Sequence, residues 1–329
     1  MAMPSSTITR YELGATFNEF DLAMSRKKFI GPKVLRPVMV GVQAADVGKI
    51  PIEALLLTRK DDRAPGAGYR RGDFEFSKYS YATDEHGWEE TLDDRKLAIY
   101  RDILNAEQIH AQRAMDFVMR NYEIAVAAAV YNTTTWTGAA LTTDITHEWD
   151  DHTNAVPVDN IEAARLKVIE GCGMEPNALI CNRKQAFHLG QCANIVDRIK
   201  YSGKDDPKKI PLAALAECLQ VDMIIVAGGY KNTAKEGQDV SISTVWGDEN
   251  MMLAKVATGD DPQEPCIGRT FMWSGDGPGA PGSDEEIAVV VEEYREEARR
   301  GGIIRARNDR DLVIMYPQCG HLIGNAIEI

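Results

Sequence analysis

Apolar side chains recur between residues 91 and 132 at the spacing of one helical face. The steps between them are three, four or seven residues, which fits a period of 3.6 residues per turn. The members of this stripe are Leu97, Tyr100, Leu104, Ala111, Met115, Val118, Tyr122, Val126 and Ala129. Neither Gly nor Pro interrupts the segment, so the pattern predicts one helix about 60 Å long at about 1.5 Å per residue. A helix of that length indicates an extended molecule, although one long core helix of an ordinary enzyme is the alternative.

The positions between the apolar ones are mostly charged, which predicts that the opposite face of this helix meets water or a polar partner. They are Arg95, Lys96, Asp102, Glu107, Gln112, Arg113, Asp116, Arg120 and Glu123. Thr91 and Asp94 have the spacing of a capping box, with acid at the positive end of the helix dipole. We therefore expect the helix to begin near Thr91.

The segments before this helix contain too few apolar residues to fold alone. Residues 1–50 have a basic excess, a short helical stretch at 17–26 and a short strand at 38–42, so they are interpreted as an arm. Residues 51–90 begin with an apolar strand at 55–57, continue through a charged, Gly-rich stretch, and then alternate aromatic with polar side chains. This pattern predicts a long β-hairpin. A hairpin is marginal alone in water, so we expect it to lie across a neighbouring molecule; a flexible surface loop is the alternative.

The remainder of the chain alternates between helical and strand patterns. Residues 131–149 are rich in Thr and predict strand and turn. Helices are predicted at 161–169, 184–193 and 212–219, and strands at 178–181, 223–226 and 251–256. The polar loops at 203–207 and 228–237 would project from this α/β unit. The chain closes with strands predicted at 287–294, 303–307 and 312–316, the last two separated by Asn308-Asp309.

The composition of the chain disfavours several classes of function. The net charge is −13, from 37 basic and 50 acidic residues, which disfavours general binding to nucleic-acid phosphates. No apolar run approaches the ~18 residues of a membrane span, and the first ten residues lack the apolar core of a signal peptide. The six cysteines are scattered singly, which is typical of reduced thiols in a cytoplasm.

Motifs for catalysis are weak. His147 and His152 flank an H-E-x-x-x-H sequence, but on a helix this spacing would set them about 140° apart, so a surface turn is favoured over a zinc site. Residues 275–282 are rich in Gly but lack the Lys of a phosphate loop and lead into acidic residues. We therefore predict no catalytic residue, no cofactor and no metal, which favours a structural protein over an enzyme.

Five motifs, in this order along the chain, carry a resemblance to a known family. They lie at 29–38, 63–69, 149–161, 173–179 and 294–325. In sequence texture and order the chain resembles the major capsid proteins of tailed bacteriophages, which have the Hong Kong 97-like fold. The resemblance implies an α+β fold with an N-terminal arm, an E-loop hairpin, a peripheral domain with a long spine helix, and an axial α/β domain. The implied boundaries are 1–50 for the arm, 51–90 for the E-loop, 91–156 and 266–329 for the peripheral domain, and 157–265 for the axial domain.

The resemblance also implies a function. Copies of the chain would assemble as hexamers and pentamers into an icosahedral viral head that encloses double-stranded DNA without sequence-specific binding. The implied location is the virion, after assembly in the host cytoplasm, and the implied partners are other copies, a portal, and scaffolding or decoration proteins, with no membrane. Encapsulin shells share the fold and are the near alternative. A soluble α/β enzyme of unknown chemistry is the alternative from another class.

Two sets of residues are predicted to contact neighbouring subunits. The hairpin cations would repel one another within one subunit, so we expect them to meet the acidic run of the C-terminal segment of the next subunit. The residues of this contact are Arg59, Lys60, Arg63, Tyr69, Arg70 and Arg71 on one side and Glu292, Glu293, Glu296 and Glu297 on the other. The loops predicted to converge on the capsomer axis contain Lys204, Asp205, Asp206, Lys231, Lys235 and Glu236.

Overall fold

Two β-sheets and one long helix organise the chain. A computed structural model describes residues 8–9, 28–49, 51–73, 75–100, 106–201, 210–259, 261, 264–274 and 289–327. The strands, in chain order, are β1 (Ile8–Thr9), β2 (Pro37–Val40), β3 (Ala44–Lys49), β4 (Ser77–Ala82), β5 (Asp84–Asp93), β6 (Thr142–Asp144), β7 (Ala178–Asn182), β8 (Met223–Ala227), β9 (Tyr230–Asn232), β10 (Ile242–Thr244), β11 (Met251–Ala254), β12 (Gly268–Trp273), β13 (Val290–Glu296), β14 (Gly301–Ile314) and β15 (Gly320–Gly324). The helices are Gly31–Val34, Ile52–Leu55, Asp94–Tyr100, Ala106–Val130, Pro157–Cys172, Arg183–Leu189, Ala193–Tyr201 and Leu212–Leu219, with 3₁₀ turns at Glu297–Arg299 and Pro317–Cys319.

A six-stranded sheet is built around β14. The first half of β14 lies between β13 and β5, both antiparallel to it, and its last residues pair with β12. The sheet is extended by β2, parallel to β12, and by β1 beside β13. The prediction of two closing strands broken at Asn308-Asp309 is wrong. Both residues are buried within β14, opposite His86 and Glu85 of β5, and this pairing keeps the strand continuous.

The α/β unit contains the five-stranded sheet, in the order β6-β15-β11-β7-β8. The sequence predicted β7, β8, β11 and the helix Leu212–Leu219 within two residues of their observed bounds. Asn182 ends the buried strand β7 and caps the next helix, because its side chain accepts from the backbone N–H of Gln185 at 2.9 Å. The predicted helix over 184–193 is instead two short helices, which end and begin on either side of Gly190.

The long helix packs its predicted stripe into the main core. We call Ala106–Val130 the central helix. Five predicted stripe positions are buried: Ala111, Met115, Val118, Tyr122 and Val126. The Tyr122 hydroxyl lies 2.8 Å from Thr270 Oγ1 on β12 and donates to the Leu35 carbonyl at 3.3 Å. The assignment of Gln112 and Glu123 to the solvent face is wrong, because both are buried.

The start of this helical segment also differs from the prediction. Thr91 belongs to β5, and the helix begins at Asp94. Asp93 supplies the cap, since its Oδ1 accepts from the backbone N–H of Arg95 at 2.7 Å. Helix is described over Asp94–Tyr100 and Ala106–Val130; residues 101–105, which include Leu104 of the stripe, lie outside the described residues.

The hairpin has different strands from those predicted. It is formed by β3 and β4. The predicted strand at 55–57 is wrong, because Ile52–Leu55 forms a helical turn after Pro51 and residues 56 and 57 are not in a strand. Its base is held by the stacking of Tyr81 on Phe271 of β12, with ring centres 4.6 Å apart. Every described residue from 56 to 78 is exposed. The base is therefore fixed to the sheet, and the intervening chain stands in solvent.

The predicted arm helix at 17–26 lies outside the described residues, whereas the predicted strand at 38–42 is observed as β2. Within the part of the chain that the structure describes, no helix has the length and apolar character needed to cross a membrane.

Tyr122→Asp and Met115→Asp test the buried stripe. Each places an unpaired carboxylate in the core, which costs several kcal/mol, so we expect insoluble or unfolded protein. Arg113→Ala on the same helix is the control, because the Arg113 side chain is 65% exposed. Soluble expression and circular dichroism measure the outcome, and equal solubility of all three variants would show that the assigned face is wrong.

Candidate intersubunit surfaces

The predicted hairpin cations lie in an exposed loop. We call residues 57–73 the basic loop; it contains five basic and three acidic residues. The structure brings together Arg63 and Tyr69, with the guanidinium 4.7 Å from the ring centre, and Arg70 and Asp62, 3.8 Å apart. Both members of the second pair are largely exposed, and such pairs contribute about 0–1 kcal/mol. The cations Arg59, Lys60, Arg63, Arg70 and Arg71 therefore have most of their interaction capacity open to a partner.

Glu292, predicted to meet a neighbouring subunit, lies inside its own sheet. It is 6% exposed, and its carboxylate accepts from Arg305 at 2.6 Å and from Arg307 at 2.8 Å. Burial opposes ionisation, but the hydrogen bonds from these two arginines outweigh it and lower the pKa of Glu292. The register of β13 and β14 sets Glu292 opposite Arg305. Within its own chain Glu292 therefore stabilises the sheet, and its contact with a neighbouring subunit stays a prediction.

The other acidic residues of this run also meet arginines of their own chain. Glu296 lies 3.4 Å from Arg299, and Glu297 lies 3.0 Å from Arg295. Glu293 is half-buried in β13, beside β1. The single chain does not bring Glu293, Glu296 or Glu297 to the basic loop, so their pairing with the loop of a neighbour stays a prediction.

The second predicted set is only partly described. Lys231 is half-buried in β9, and Lys235 and Glu236 are exposed in the turn between β9 and β10. Asn232 shapes this turn, because its side-chain oxygen accepts from the backbone N–H groups of Ala234 and Ser241. The first predicted loop, with Lys204, Asp205 and Asp206, lies outside the described residues.

An acidic strand was missed by the sequence analysis. β5 carries Asp84, Glu85, Glu89, Glu90 and Asp93 and contains no Lys or Arg. Trp88 stacks on Phe117 of the central helix, with ring centres 3.9 Å apart. A run of polar residues rarely predicts a strand, so the sequence predicts a hairpin end and a helix start for residues 84–93. The sequence does contain a sign of a negatively charged surface, because six acidic residues lie between positions 84 and 94.

Glu123 is the second feature that was missed. This carboxylate is fully buried on the central helix. Its Oε1 accepts from the Ile30 N–H at 2.9 Å and from the Trp246 indole N–H at 2.6 Å, and its Oε2 accepts from the Gly31 N–H at 2.7 Å. Burial raises the pKa of Glu123, and the three N–H donors oppose that shift.

The close approach at Glu123 requires glycine at position 31. A Cβ there would lie 2.7 Å from the Tyr122 ring and 2.8 Å from Glu123 Oε2. The segment after the arm is therefore fixed to the central helix by main-chain N–H groups, while Trp246 fixes the loop before β11 to the same carboxylate. This cluster is structural, since it joins three parts of the chain.

The histidines of the H-E-x-x-x-H sequence do not meet each other. His147 is exposed, and His152 Nε2 lies 3.0 Å from Nδ1 of His188 instead. Among the residues that the structure describes, no group of three or more His, Cys, Asp or Glu side chains is placed to hold a metal ion.

Comparisons with known proteins agree with this architecture. No protein-family model matches the chain. The major capsid protein of Pseudomonas phage JBD67 is 22% identical over 257 residues, which are 78% of each chain. A crystal structure of a phage-related protein from Bordetella bronchiseptica RB50 matches 98% of both chains with a TM-score of 0.69 and 18% identity. The capsid structure of cyanophage P-SCSP1u matches 98% of this chain and 90% of its own, with a TM-score of 0.55 and 8% identity. The chain has the Hong Kong 97-like capsid fold.

The resemblance predicted from the sequence is thereby confirmed at the level of the fold, which is mixed α+β. In this capsid fold, the buried contacts of Glu123 and Glu292 belong to the body of one subunit. The basic loop and β5 are the charged surfaces that the body leaves exposed.

Glu123→Gln tests the buried cluster. The glutamine side chain has one acceptor oxygen, and its NH₂ group cannot accept a hydrogen bond. At least one of the three buried N–H donors therefore loses its partner. We expect a loss of about 1.5–3 kcal/mol in the free energy of unfolding, as for hydrogen bonds to charged groups. Glu107→Gln, on a partly exposed position of the same helix, should change it by less than about 0.5 kcal/mol. Urea denaturation of the unassembled subunit measures both, and equal effects would contradict the assigned role.

Proposed function

We propose that this chain is the major capsid protein of a tailed bacteriophage. Copies of it form an icosahedral shell that encloses double-stranded DNA, and the chain acts as a structural subunit of the virion without catalysis. The observation that carries this function is the exposed basic loop on a chain that aligns with a phage capsid structure over 98% of its length.

The basic loop and the residues beside it have the exposed apolar side chains expected of a segment that binds another protein chain. Between the two ends of the hairpin, large apolar side chains stand in solvent: Leu56, Leu57, Tyr69 and Phe76. Tyr69 is 76% exposed and Phe76 is 69% exposed. Large exposed apolar side chains grouped on one segment mark an interaction surface in a soluble protein. The same side chains are covered when the loop lies on a second copy.

We assign the parts of the chain as follows. The basic loop and β4 lie in the E-loop, over 51–90, and pair with β3 at the end of the arm, residues 1–50. The central helix with β12, β13 and β14 lies in the peripheral domain, over 91–156 and 266–329, while β1, β2 and most of β5 come from the preceding segments. The strands β7 to β11 with their helices lie in the axial domain, over 157–265, and β6 and β15 of the same sheet come from the peripheral segments.

The E-loop of one subunit lies over the peripheral domain of the next subunit of a hexamer or pentamer, where its arginines meet acidic side chains. Each exposed ion pair contributes about 0–1 kcal/mol, but a closed shell repeats the contact in every subunit, so weak contacts sum to a stable assembly. An acidic chain also suits an enclosing wall, because an inner surface with strong phosphate affinity would hinder the packing and release of DNA.

Other partners follow from this role. A portal and scaffolding or decoration proteins would complete the head. An encapsulin-like compartment is the second candidate of the same fold, and the relationship to the capsid protein of phage JBD67 favours the phage head.

Purification of the expressed chain tests this function. We expect closed particles in electron micrographs and a sedimentation rate far above that of a 36.4 kDa chain. The double variant Arg70→Glu with Arg71→Glu should keep the circular dichroism of the folded subunit yet form no particles. Lys167→Glu with Lys200→Glu, the same change of net charge on the α/β unit, is the control and should assemble. Normal particles from the Arg70→Glu and Arg71→Glu double variant would contradict the E-loop assignment. A monodisperse wild-type monomer at high concentration would contradict the proposed function.

The β9–β10 turn and the loop at 203–207 converge on the capsomer axis in this proposal, where opposite charges of identical neighbours pair around a ring. Lys235→Glu should leave folding unchanged and alter the ratio of hexamers to pentamers, because exposed pairs of this kind contribute only about 0–1 kcal/mol. Particle sizes from electron microscopy measure the effect. Placement of both loops away from every symmetry axis in a shell reconstruction would refute the assignment.

A further inference from the structure

One edge of β5 carries main-chain groups without a strand partner among the described residues. Just beyond the paired residues of β5 and β14, the Asp94 N–H donates to the Arg300 carbonyl at 3.2 Å. Asp94 and Arg300 are therefore a hydrogen-bonded pair in the pattern that joins the two strands. Because hydrogen-bonded pairs alternate along an antiparallel ladder, the residues that face β14 are the even-numbered ones, from 84 to 92. The odd-numbered residues point their N–H and C=O groups to the other edge: Glu85, Gly87, Glu89, Thr91 and Asp93. Within the part of the chain described, no strand pairs with that edge.

This edge is protected only by its acidic side chains. Native sheets protect such edges with short strands, charged side chains, Pro or bulges. β5 is 10 residues long, contains neither Lys nor Pro, and pairs with β14 over its whole length without a bulge. Residues 84–89 are all exposed. Carboxylates repel a second acidic strand but attract a basic one, so this edge is a template for an added strand that carries cations.

Glu90 of β5 meets His110 at 3.2 Å and Arg113 at 3.6 Å, whereas Glu85 and Glu89 are only weakly neutralised by their own chain. Glu89 lies 3.7 Å from Arg305, and Glu85 lies 3.9 Å from Arg307. Both arginines hold Glu292 more closely, at 2.6 and 2.8 Å. The acidic run of β13 is therefore matched within the subunit, whereas β5 keeps a negative surface for a cation from outside.

The basic loop has the complementary properties. It is exposed throughout, has no strand, and carries Arg70 and Arg71 beside Tyr69. The six residues of β4 separate the loop from its own β5 and span about 20 Å at 3.3 Å per residue. A second copy can offer the same edge to the loop.

We propose that the basic loop of one copy adds as a strand to the outer edge of β5 of a second copy. Consecutive side chains of a strand point to opposite faces, so Arg70 and Arg71 engage different surfaces of β5. One meets Glu85 and Glu89, and the other meets the face with Trp88, where a guanidinium can lie on the exposed indole. This inference rests on the proposed function and names the receiving surface of the E-loop.

A charge swap tests the inference. Glu85→Lys with Glu89→Lys should keep the circular dichroism of the wild type and reduce particle yield by about tenfold or more, equivalent to about 1.4 kcal/mol. The quadruple variant, which adds Arg70→Glu and Arg71→Glu, should recover particles relative to either pair alone. The matched control is Glu170→Lys with Glu175→Lys, two exposed carboxylates of the α/β unit, which should assemble within about twofold of the wild type.

Three outcomes would overturn the inference while the proposed function stands: normal assembly of the β5 pair, no recovery in the quadruple variant, or loss of assembly in the control pair alone. If the β5 pair proves unfolded, Glu85→Gln with Glu89→Gln replaces it; this milder variant removes the charges and keeps an acceptor for the Tyr294 hydroxyl, which donates to Glu89 at 3.1 Å. An unchanged particle yield from that variant would likewise overturn the inference. A wild-type chain that forms no particle contradicts the proposed function instead.

Discussion

The buried carboxylate of Glu123 is the constraint on which the body of the subunit depends. A carboxylate without partners in a protein core costs several kcal/mol, so the central helix can be buried at Glu123 only when its N–H donors are in place. Two of them, from Ile30 and Gly31, belong to the segment after the arm, and the third belongs to Trp246 before β11. The segment after the arm, the central helix and the α/β unit must therefore form together.

The second organising feature is the division of charge between the inside of the subunit and its surface. β14 carries Arg305 and Arg307, which are committed to Glu292 at distances below 3 Å. Among the described residues, Glu85 and Glu89 of β5 and Arg70 of the basic loop have ion-pair partners in their own chain only at 3.7 to 3.9 Å. Charges that one chain pairs weakly can pair between copies, and a closed symmetric assembly repeats each such contact in every copy.

Much of the fold was predictable from the sequence because apolar periodicity reports burial directly. Val118 and Tyr122 are buried as their spacing predicted, and β7 and Leu212–Leu219 lie where apolar runs placed them. Glu123 was assigned to the solvent face because a helical pattern shows only that a position is charged, whereas its three donors come from residues about 90 and 120 positions away in the chain. Asn308 and β5 were missed for the same reason: strand pairing with distant residues overrode the local preference of polar side chains for turns.

A reconstruction of the assembled particle by electron cryo-microscopy, at a resolution that shows side chains, tests how neighbouring subunits join. We expect a closed shell in which residues 57–73 of each subunit lie along the outer edge of β5 in a neighbouring subunit, with an arginine within ion-pair distance of Glu85 or Glu89. A basic loop that folds back on its own subunit, or a β5 edge left open to solvent in the closed shell, would contradict it.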